Sequence, residues 1–379
     1  MKIAVESSVL IVNQKTGVAY YTQRLLQALV SMDQEDAYEL VYLAFPGRKV
    51  PDFGVAAPNV SRRRIWWLPG KAYNLSLRLP LGLPIDLLAG VRPGIFFFPN
   101  FVRWPLLWTK KSVVVVHDLS FIESGETMVQ RHRHYLSRVV PRSIKQANHV
   151  VTISESSKAQ IVKHYGTDPE KITVITPALD HDFYRPAAKK TVSATKKRYG
   201  IEGEYLLYLG TLEPRKNLAG ILKSYRALPD VVKKQYKLVL AGGKGWLDEE
   251  INQLIATAPA GQIVRTGYVE TADIPALYTG ATLFLYPSLY EGWGMQVLEA
   301  MACGTPVITA NNSSLPEAGG NAAAYVDAKN AGQLQQTIAK ILSSPKQRAD
   351  MRRQGLAHVA NFTWEQSASR LLDVFRNVA

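Results

Sequence analysis

The chain has 379 residues, 47% of them hydrophobic, enough for two domains with cores of their own and too apolar for a disordered protein. Forty-five Lys and Arg against 31 Asp and Glu leave +14, a bias toward nucleic acid, anionic lipid or phosphate-bearing substrates that does not by itself choose among them. A single cysteine, Cys303, excludes an intramolecular disulfide framework and fits a reducing compartment, the Met-Lys-Ile-Ala-Val-Glu start carries no signal-peptide pattern, and no apolar run approaches the ~20 residues of a membrane span.

Residues 2–5 read as a first strand. The loop Asn13-Gln-Lys-Thr-Gly17 then leads into a helix with Val18, Tyr21, Leu25, Leu26 and Leu29 on one face. Gly17 stands where an α/β domain brings backbone close to a phosphate, although a plain turn also favours glycine there. No G-x-G-x-x-G follows, so a nicotinamide dinucleotide is not indicated. Short apolar runs at 39–45, 94–98, 112–116 and 149–153 alternate with loops and helical patterns, the mark of an α/β parallel sheet. Val113-Val-Val-Val116 ends in His117-Asp118, and residues at the carboxyl end of such a strand face a ligand crevice. A histidine satisfied within the core is the competing reading of His117.

The segment 48–78 differs in kind, with seven Lys and Arg against one Asp and with Trp66-Trp67 beside Arg62, Arg63 and Arg64. It reads as a solvated basic face or as a membrane surface, where tryptophan favours the interface and each basic residue near anionic lipid adds ~1 kcal/mol. Ser154 caps a helix that runs to Tyr165 with Gly166 behind it, and a strand at 172–175 follows. The expected first domain covers 1–188, the second 189–361, and a closing helix 362–379.

The second half restarts with a strand at 205–209 that ends in Gly210-Thr-Leu-Glu-Pro-Arg215-Lys216-Asn217. Two adjacent cations at the head of a helix suit a diphosphate, with Arg forking across two oxygens and Lys acting as a point charge; ordinary surface charge is the alternative. Strands at 237–241, before Gly242-Gly243, and at 263–266, before Gly267-Tyr268-Val269, come next. A strand at 283–286 then stops at Pro287, and a loop carries Glu291, Gly292 and Gly294. Met295, Val297, Leu298 and Met301 fall at helical spacing before Gly304-Thr-Pro306, and a strand at 307–309 follows. A helix that starts after a glycine-rich loop offers unpaired N–H groups to an anion. Glu291 and Glu299 punctuate this otherwise apolar segment, and buried carboxylates need polar partners such as sugar or ribose hydroxyls. A strand at 322–326 and helices at 331–343 and 345–359 complete the pattern.

Glu291-Gly-Trp-Gly-Met-Gln-Val-Leu-Glu299, followed by Ala-Met-Ala-Cys-Gly-Thr-Pro-Val, resembles the E-x7-E signature of the family 4 retaining glycosyltransferases. The Gly210–Asn217 text, the His117-Asp-Leu context and the closing Phe362-Thr-Trp-Glu365 resemble that family as well. The resemblance implies an α/β fold of GT-B architecture: two Rossmann-like parallel-sheet domains facing across a cleft, with the C-terminal helix crossing back to the first domain. It implies catalytic roles for His117, Arg215, Lys216 and Glu291, with Glu291 and His117 on donor sugar hydroxyls and the two cations on the leaving diphosphate. Gly17, Gly210, Asn217 and Tyr268 would line the donor site, Tyr268 beside the base. The backbone of Gly294, Met295, Gln296 and Val297 would meet sugar and diphosphate, and Glu299 the ribose. The chain departs from the commoner family text, Phe and Leu-Pro, at Trp293, Met295 and Gln296, near the donor sugar.

No Asp-x-Asp pair stands at a central strand end, since Asp180-His-Asp182 lies at the domain boundary, so neither metal nor cofactor is expected. The implied activity is metal-independent retaining transfer of a hexose from a nucleoside-diphosphate sugar to a saccharide or lipid-linked saccharide in cell-surface polysaccharide synthesis. Mannose is suggested by likeness around Pro316-Glu-Ala-Gly-Gly-Asn-Ala-Ala323. The expected location is cytoplasmic and peripheral on the inner face of the membrane, through Arg62, Arg63, Arg64, Trp66 and Trp67. Nucleic acid is not an expected partner, because no helix-turn-helix, zinc ligand set or RNA-recognition signature appears. A basic nucleic-acid binder, and an epimerase or hydrolase of the same architecture, are the alternatives.

Overall fold

The computed structural model describes residues 1–12, 16–47, 49–68, 82–125, 128–243 and 249–379. Asn13, Gln14 and Lys15 of the first loop, and Arg48 and 69–78 of the basic segment, lie outside the described residues. The chain forms two compact units, one of Met1–Pro177 with Trp364–Ala379 and the other of Ala178–Thr363.

The first unit is built on a seven-stranded sheet of β1 (Lys2–Glu6), β2 (Ala37–Leu43), β3 (Val60–Ile65), β4 (Ile95–Phe98), β5 (Lys111–Val115), β6 (His149–Thr152) and β7 (Ile172–Val174). Its order is β3-β2-β1-β4-β5-β6-β7, and every pairing is parallel. Strands buried on both faces read as continuous apolar runs, and Phe96, Phe97, Val113, Val114 and Val115 are fully buried accordingly. The helix Gly17–Met32 returns the chain after β1, with Tyr21, Leu25, Leu26 and Leu29 buried.

β3 is a strand that the sequence pattern does not announce. It pairs with β2 from Tyr38↔Val60 to Leu43↔Ile65 and forms the sheet edge, where charged side chains discourage pairing with another chain. Arg62 pairs with Asp52 at 2.9 Å and lies over the Phe53 ring, Arg63 reaches Glu39 at 3.3 Å, and Arg64 donates to the Ala44 and Phe45 carbonyls. The three arginines thus have local structural partners. Trp66 and Trp67 just beyond are 59% and 49% exposed.

The second unit has six parallel strands: β8 (Glu204–Leu209), β9 (Tyr236–Ala241), β10 (Ile263–Gly267), β11 (Leu283–Tyr286), β12 (Val307–Ala310) and β13 (Ala324–Val326). The order β10-β9-β8-β11-β12-β13 reverses direction between β8 and β11, the doubly wound pattern that opens a crevice at the carboxyl ends of those two strands. Residues 178–188 are tied to this unit: Leu179 N–H and the His181 ring meet the Phe362 carbonyl, and Ala187 N–H donates to Thr279 Oγ1. The helix Trp364–Val378 belongs to the first unit, where Trp364 packs edge-on against Tyr20 and Tyr21 and Phe375 against Phe97. Among the described residues no helix is long and apolar enough to cross a membrane.

Candidate active site

The crevice of the second unit is bounded by the loops that leave β8 and β11. After β8 the chain makes a short 3-10 turn, Pro214–Lys216, and Asn217 takes a left-handed conformation at φ 59°. Asn217 Oδ1 accepts the Gly220 N–H and caps the helix Leu218–Arg226, while its Nδ2 donates to the Pro287 and Ala328 carbonyls. Its side chain therefore joins three segments and fixes the two cations before it. The turn also lies close to the neighbouring strand end: a Cβ on Gly242, at φ +139°, would stand 2.0 Å from the Gly210 carbonyl oxygen, so only glycine fits.

After β11 the loop to the helix Met295–Ala302 is moored from below. Glu291 N–H donates to Ser313 Oγ, and Ser314 Oγ lies 2.9 and 2.8 Å from the Glu291 and Trp293 carbonyls. Gly294 enters the helix at φ +115°, and a Cβ there would meet Leu315 Cδ2 at 2.9 Å.

These loops bring Arg215, Lys216, Glu291 and Gln296 into one network. Lys216 Nζ lies 2.6 Å from Glu291 Oε1 and 2.5 Å from the Tyr286 hydroxyl. Arg215 donates to Glu291 Oε2 at 2.9 Å, to the Tyr290 carbonyl at 2.6 Å and to Glu213 at 2.8 Å. Tyr286 O–H stands 3.0 Å from both Glu291 Oε1 and Gln296 Oε1. Burial alone would raise the Glu291 carboxyl, but the Lys216 and Arg215 charges outweigh it and hold it down at about 2. Burial acts to lower Lys216, opposed by Glu291, while Arg215 between its carboxylates is raised despite burial. Two cations and two carboxylates make the cluster neutral overall, with Glu291 ionised and unfit as a proton donor.

Other expected residues lie apart from this network. Glu299 accepts from Tyr278 at 3.0 Å, and burial pushes its carboxyl up against the hydrogen bonds of Tyr184 and Tyr278. Val297 is fully buried and gives its N–H to the Gly294 carbonyl, while Met295 and Gln296 stand at the head of the helix, where no preceding turn supplies a carbonyl. Tyr268, after β10, is 70% exposed.

In the first unit, Gly17 opens its helix behind Thr16, whose hydroxyl caps Ala19 N–H. His117 is buried beyond β5, with Tyr21 edge-on at 5.3 Å and Phe101 tilted at 5.3 Å. Its Nε2 lies 2.9 Å from the Pro99 carbonyl, which can only accept, so Nε2 carries the proton and Nδ1 keeps an acceptor lone pair. Burial lowers its pKa and keeps the ring neutral. Glu6 at the end of β1 is also buried; its Oε1 accepts the Ser8 N–H at 2.9 Å, and burial pushes its carboxyl up to about 7.

Sequence reasoning missed Tyr286, Glu213 and Tyr278. Tyr286 sits in an apolar strand run, and its only signal is a hydroxyl placed at the strand's carboxyl end, where a buried tyrosine needs a partner. Among the described residues no group of three or more His, Cys, Asp or Glu side chains is placed to hold a metal ion.

Comparison with known proteins agrees with this geometry. Residues 15–183 match the family model described as Glycosyltransferase Family 4, and residues 193–358 match the model described as Glycosyl transferases group 1. O-antigen chain mannosyltransferase B of Escherichia coli is 32% identical over 284 residues, covering 74% of this chain and 74% of that protein. Sucrose-phosphate synthase from Thermosynechococcus elongatus superposes with TM-score 0.74 at 18% identity, over 100% of this chain and 98% of that one. Anabaena HepE in complex with UDP and glucose superposes with TM-score 0.70 at 16% identity, over the whole of both chains. The chain belongs to the family 4, group 1 glycosyltransferases, sugar-transferring enzymes of GT-B architecture.

Proposed function

We propose that the protein moves a hexose, mannose by its likeness to the O-antigen mannosyltransferase, from a nucleoside-diphosphate sugar to a lipid- or polymer-linked saccharide, with retention and without a metal ion. The observation that carries this reading is the pair Arg215 and Lys216, held by Glu291 across the β8/β11 crevice. A diphosphate there shares both cations with Glu291, and the cations stabilise the charge that develops as the leaving group departs, the service that a metal performs elsewhere. HepE, caught with UDP and glucose on the same fold, is in keeping with a nucleotide-sugar donor.

In this reading the bond from the anomeric carbon to the diphosphate oxygen breaks as a bond to the acceptor oxygen forms on the same face. The acceptor proton passes to the departing phosphate. Glu291, ionised and charge-paired, orients sugar hydroxyls and forms no covalent intermediate; the lone pair on His117 Nδ1 accepts a sugar hydroxyl. Gly17 and the amides of Gly294, Met295 and Gln296 give backbone contacts, whereas the Val297 and Gly210 N–H groups, already given to the Gly294 and Ala241 carbonyls, serve by shaping the two turns. Asn217 keeps the cations in place, Glu299 takes the ribose and Tyr268 the base. Trp66 and Trp67, exposed beside the basic edge strand, support docking at the inner face of a membrane that bears the acceptor.

The test is a binding panel of UDP, GDP and ADP with and without EDTA, followed by Arg215→Ala and Lys216→Ala. One diphosphate should bind regardless of EDTA, and each substitution should weaken it and cut transfer at least tenfold. Equal binding by both variants, or transfer abolished by EDTA, would overturn the corresponding part. Anomeric configuration of the product, read by NMR, tests retention.

A further inference from the structure

Gln296 is a member of the cluster network with a polar end left unspent. Its Oε1 accepts the one Tyr286 hydroxyl hydrogen at 3.0 Å, and the Tyr286 oxygen is itself held by the Lys216 ammonium. Its Nε2, with two N–H donors, has no partner among the described residues, and the residue is half-buried at the second position of the helix Met295–Ala302. The helix does not require glutamine there. The commoner family text carries proline at this position, which has neither a backbone N–H nor a side-chain amide. Gln296 therefore adds three donors where the commoner residue supplies none.

Glu291 differs in this respect. Its oxygens already take hydrogen bonds from Lys216 and Arg215, so its orientation belongs to the cations. Phosphate oxygens are the natural ligands of those cations. A neutral amide beside them adds direction rather than charge, and direction discriminates one hydroxyl configuration from another: a site built to hydrogen-bond a hydroxyl leaves a buried donor unpaired when the epimer binds.

We infer that Gln296, resting on the proposed donor site, is the side chain that selects the sugar of the nucleotide-sugar donor, through Nε2–H donated to a ring hydroxyl of the hexose. Tyr286 is its positioning residue, holding the carboxamide so that the N–H edge faces outward.

The experiment measures dissociation constants by calorimetry for the 379-residue wild type, Gln296→Met and Tyr286→Phe. The ligands are GDP, UDP and the epimeric pairs GDP-mannose with GDP-glucose and UDP-glucose with UDP-galactose. Methionine keeps the length of glutamine and removes the amide, and a thermal melt within a few degrees of wild type verifies folding. Gln296→Met should bind the preferred free diphosphate within about twofold of wild type. It should lose about tenfold for the preferred nucleotide sugar, the worth of one neutral hydrogen bond, with discrimination between the epimers falling in proportion. Tyr286→Phe should loosen discrimination less than Gln296→Met. Unchanged discrimination in Gln296→Met overturns the inference. So does an equal loss on the free diphosphate, which would put Nε2 on a phosphate oxygen. Wild-type protein that binds none of these nucleotides overturns the proposed donor site, and this inference with it.

Discussion

Replacing Glu291 by glutamine keeps the shape of the cluster and removes the charge that holds it together. The carboxyl stands at about 2 instead of its ordinary 4.5, and at ~1.4 kcal/mol for each tenfold change in acidity the difference is worth about 3 kcal/mol of folding stability. An independent route gives the same size: taking one partner from a buried ion pair costs about 3–5 kcal/mol, and the Glu291 and Lys216 side chains are each only 9% exposed. Because the folded value is depressed, this stability is complete above pH 4.5 and is lost as pH falls toward about 2. Urea unfolding at pH 7 should show Glu291→Gln destabilised by about 3 kcal/mol. Lys216→Met in the same background should recover part of that loss, because the unpaired ammonium is gone, so the two substitutions couple in a double-mutant cycle. A loss below about 1 kcal/mol, or strictly additive effects, would refute the ion-paired geometry.

Three further outcomes are expected. Glu6 keeps its proton up to about 7 when folded but releases it near 4.5 when unfolded, so stability declines as pH rises between those values; Glu6→Gln should be about 2–3 kcal/mol more stable than wild type at pH 8 and level with it at pH 4.5, and a constant difference across that range would count against the buried carboxyl. Gly242→Ala should cost at least about 2 kcal/mol and weaken diphosphate binding, since the methyl would collide with the Gly210 carbonyl and push the Arg215 turn; an alanine variant with wild-type melting and binding would contradict that packing. Trp66→Ser with Trp67→Ser should reduce pelleting with phosphatidylserine vesicles about tenfold and leave urea stability unchanged, whereas equal pelleting would remove these tryptophans from membrane docking.

The strands buried on both faces were legible because composition alone fixes them: Val113-Val-Val-Val116 has no other comfortable place. Val60–Ile65 was not, because an edge strand pairs on one side and can carry Ser61-Arg-Arg-Arg64, so its conformation comes from the β2 backbone rather than from its own side chains. At the site, the cations and carboxylates stood out as charges in apolar text. What they bond to did not, because Lys216 and Glu291 are 75 residues apart and meet only through the β8/β11 neighbourhood of the sheet. The roles of Tyr286 and Glu213 were hidden for the same reason, and Asn217 proved to be a helix cap with no spare side-chain hydrogen.

The helix Trp364–Val378 has a consequence for the order in which the protein is made. The second unit is one uninterrupted stretch, Ala178–Thr363, interposed between the two parts of the first. As the chain leaves the ribosome, Met1–Pro177 emerges early yet lacks the side chains that cover Phe97, Tyr20 and Tyr21, which arrive only with Trp364 and Phe375. All seven strands of the first unit are made by Pro177, but its last packing step waits for that helix, which is made only after every strand of the second unit. Until then the nascent first unit carries an uncovered apolar stripe, the kind of surface that holdase chaperones recognise.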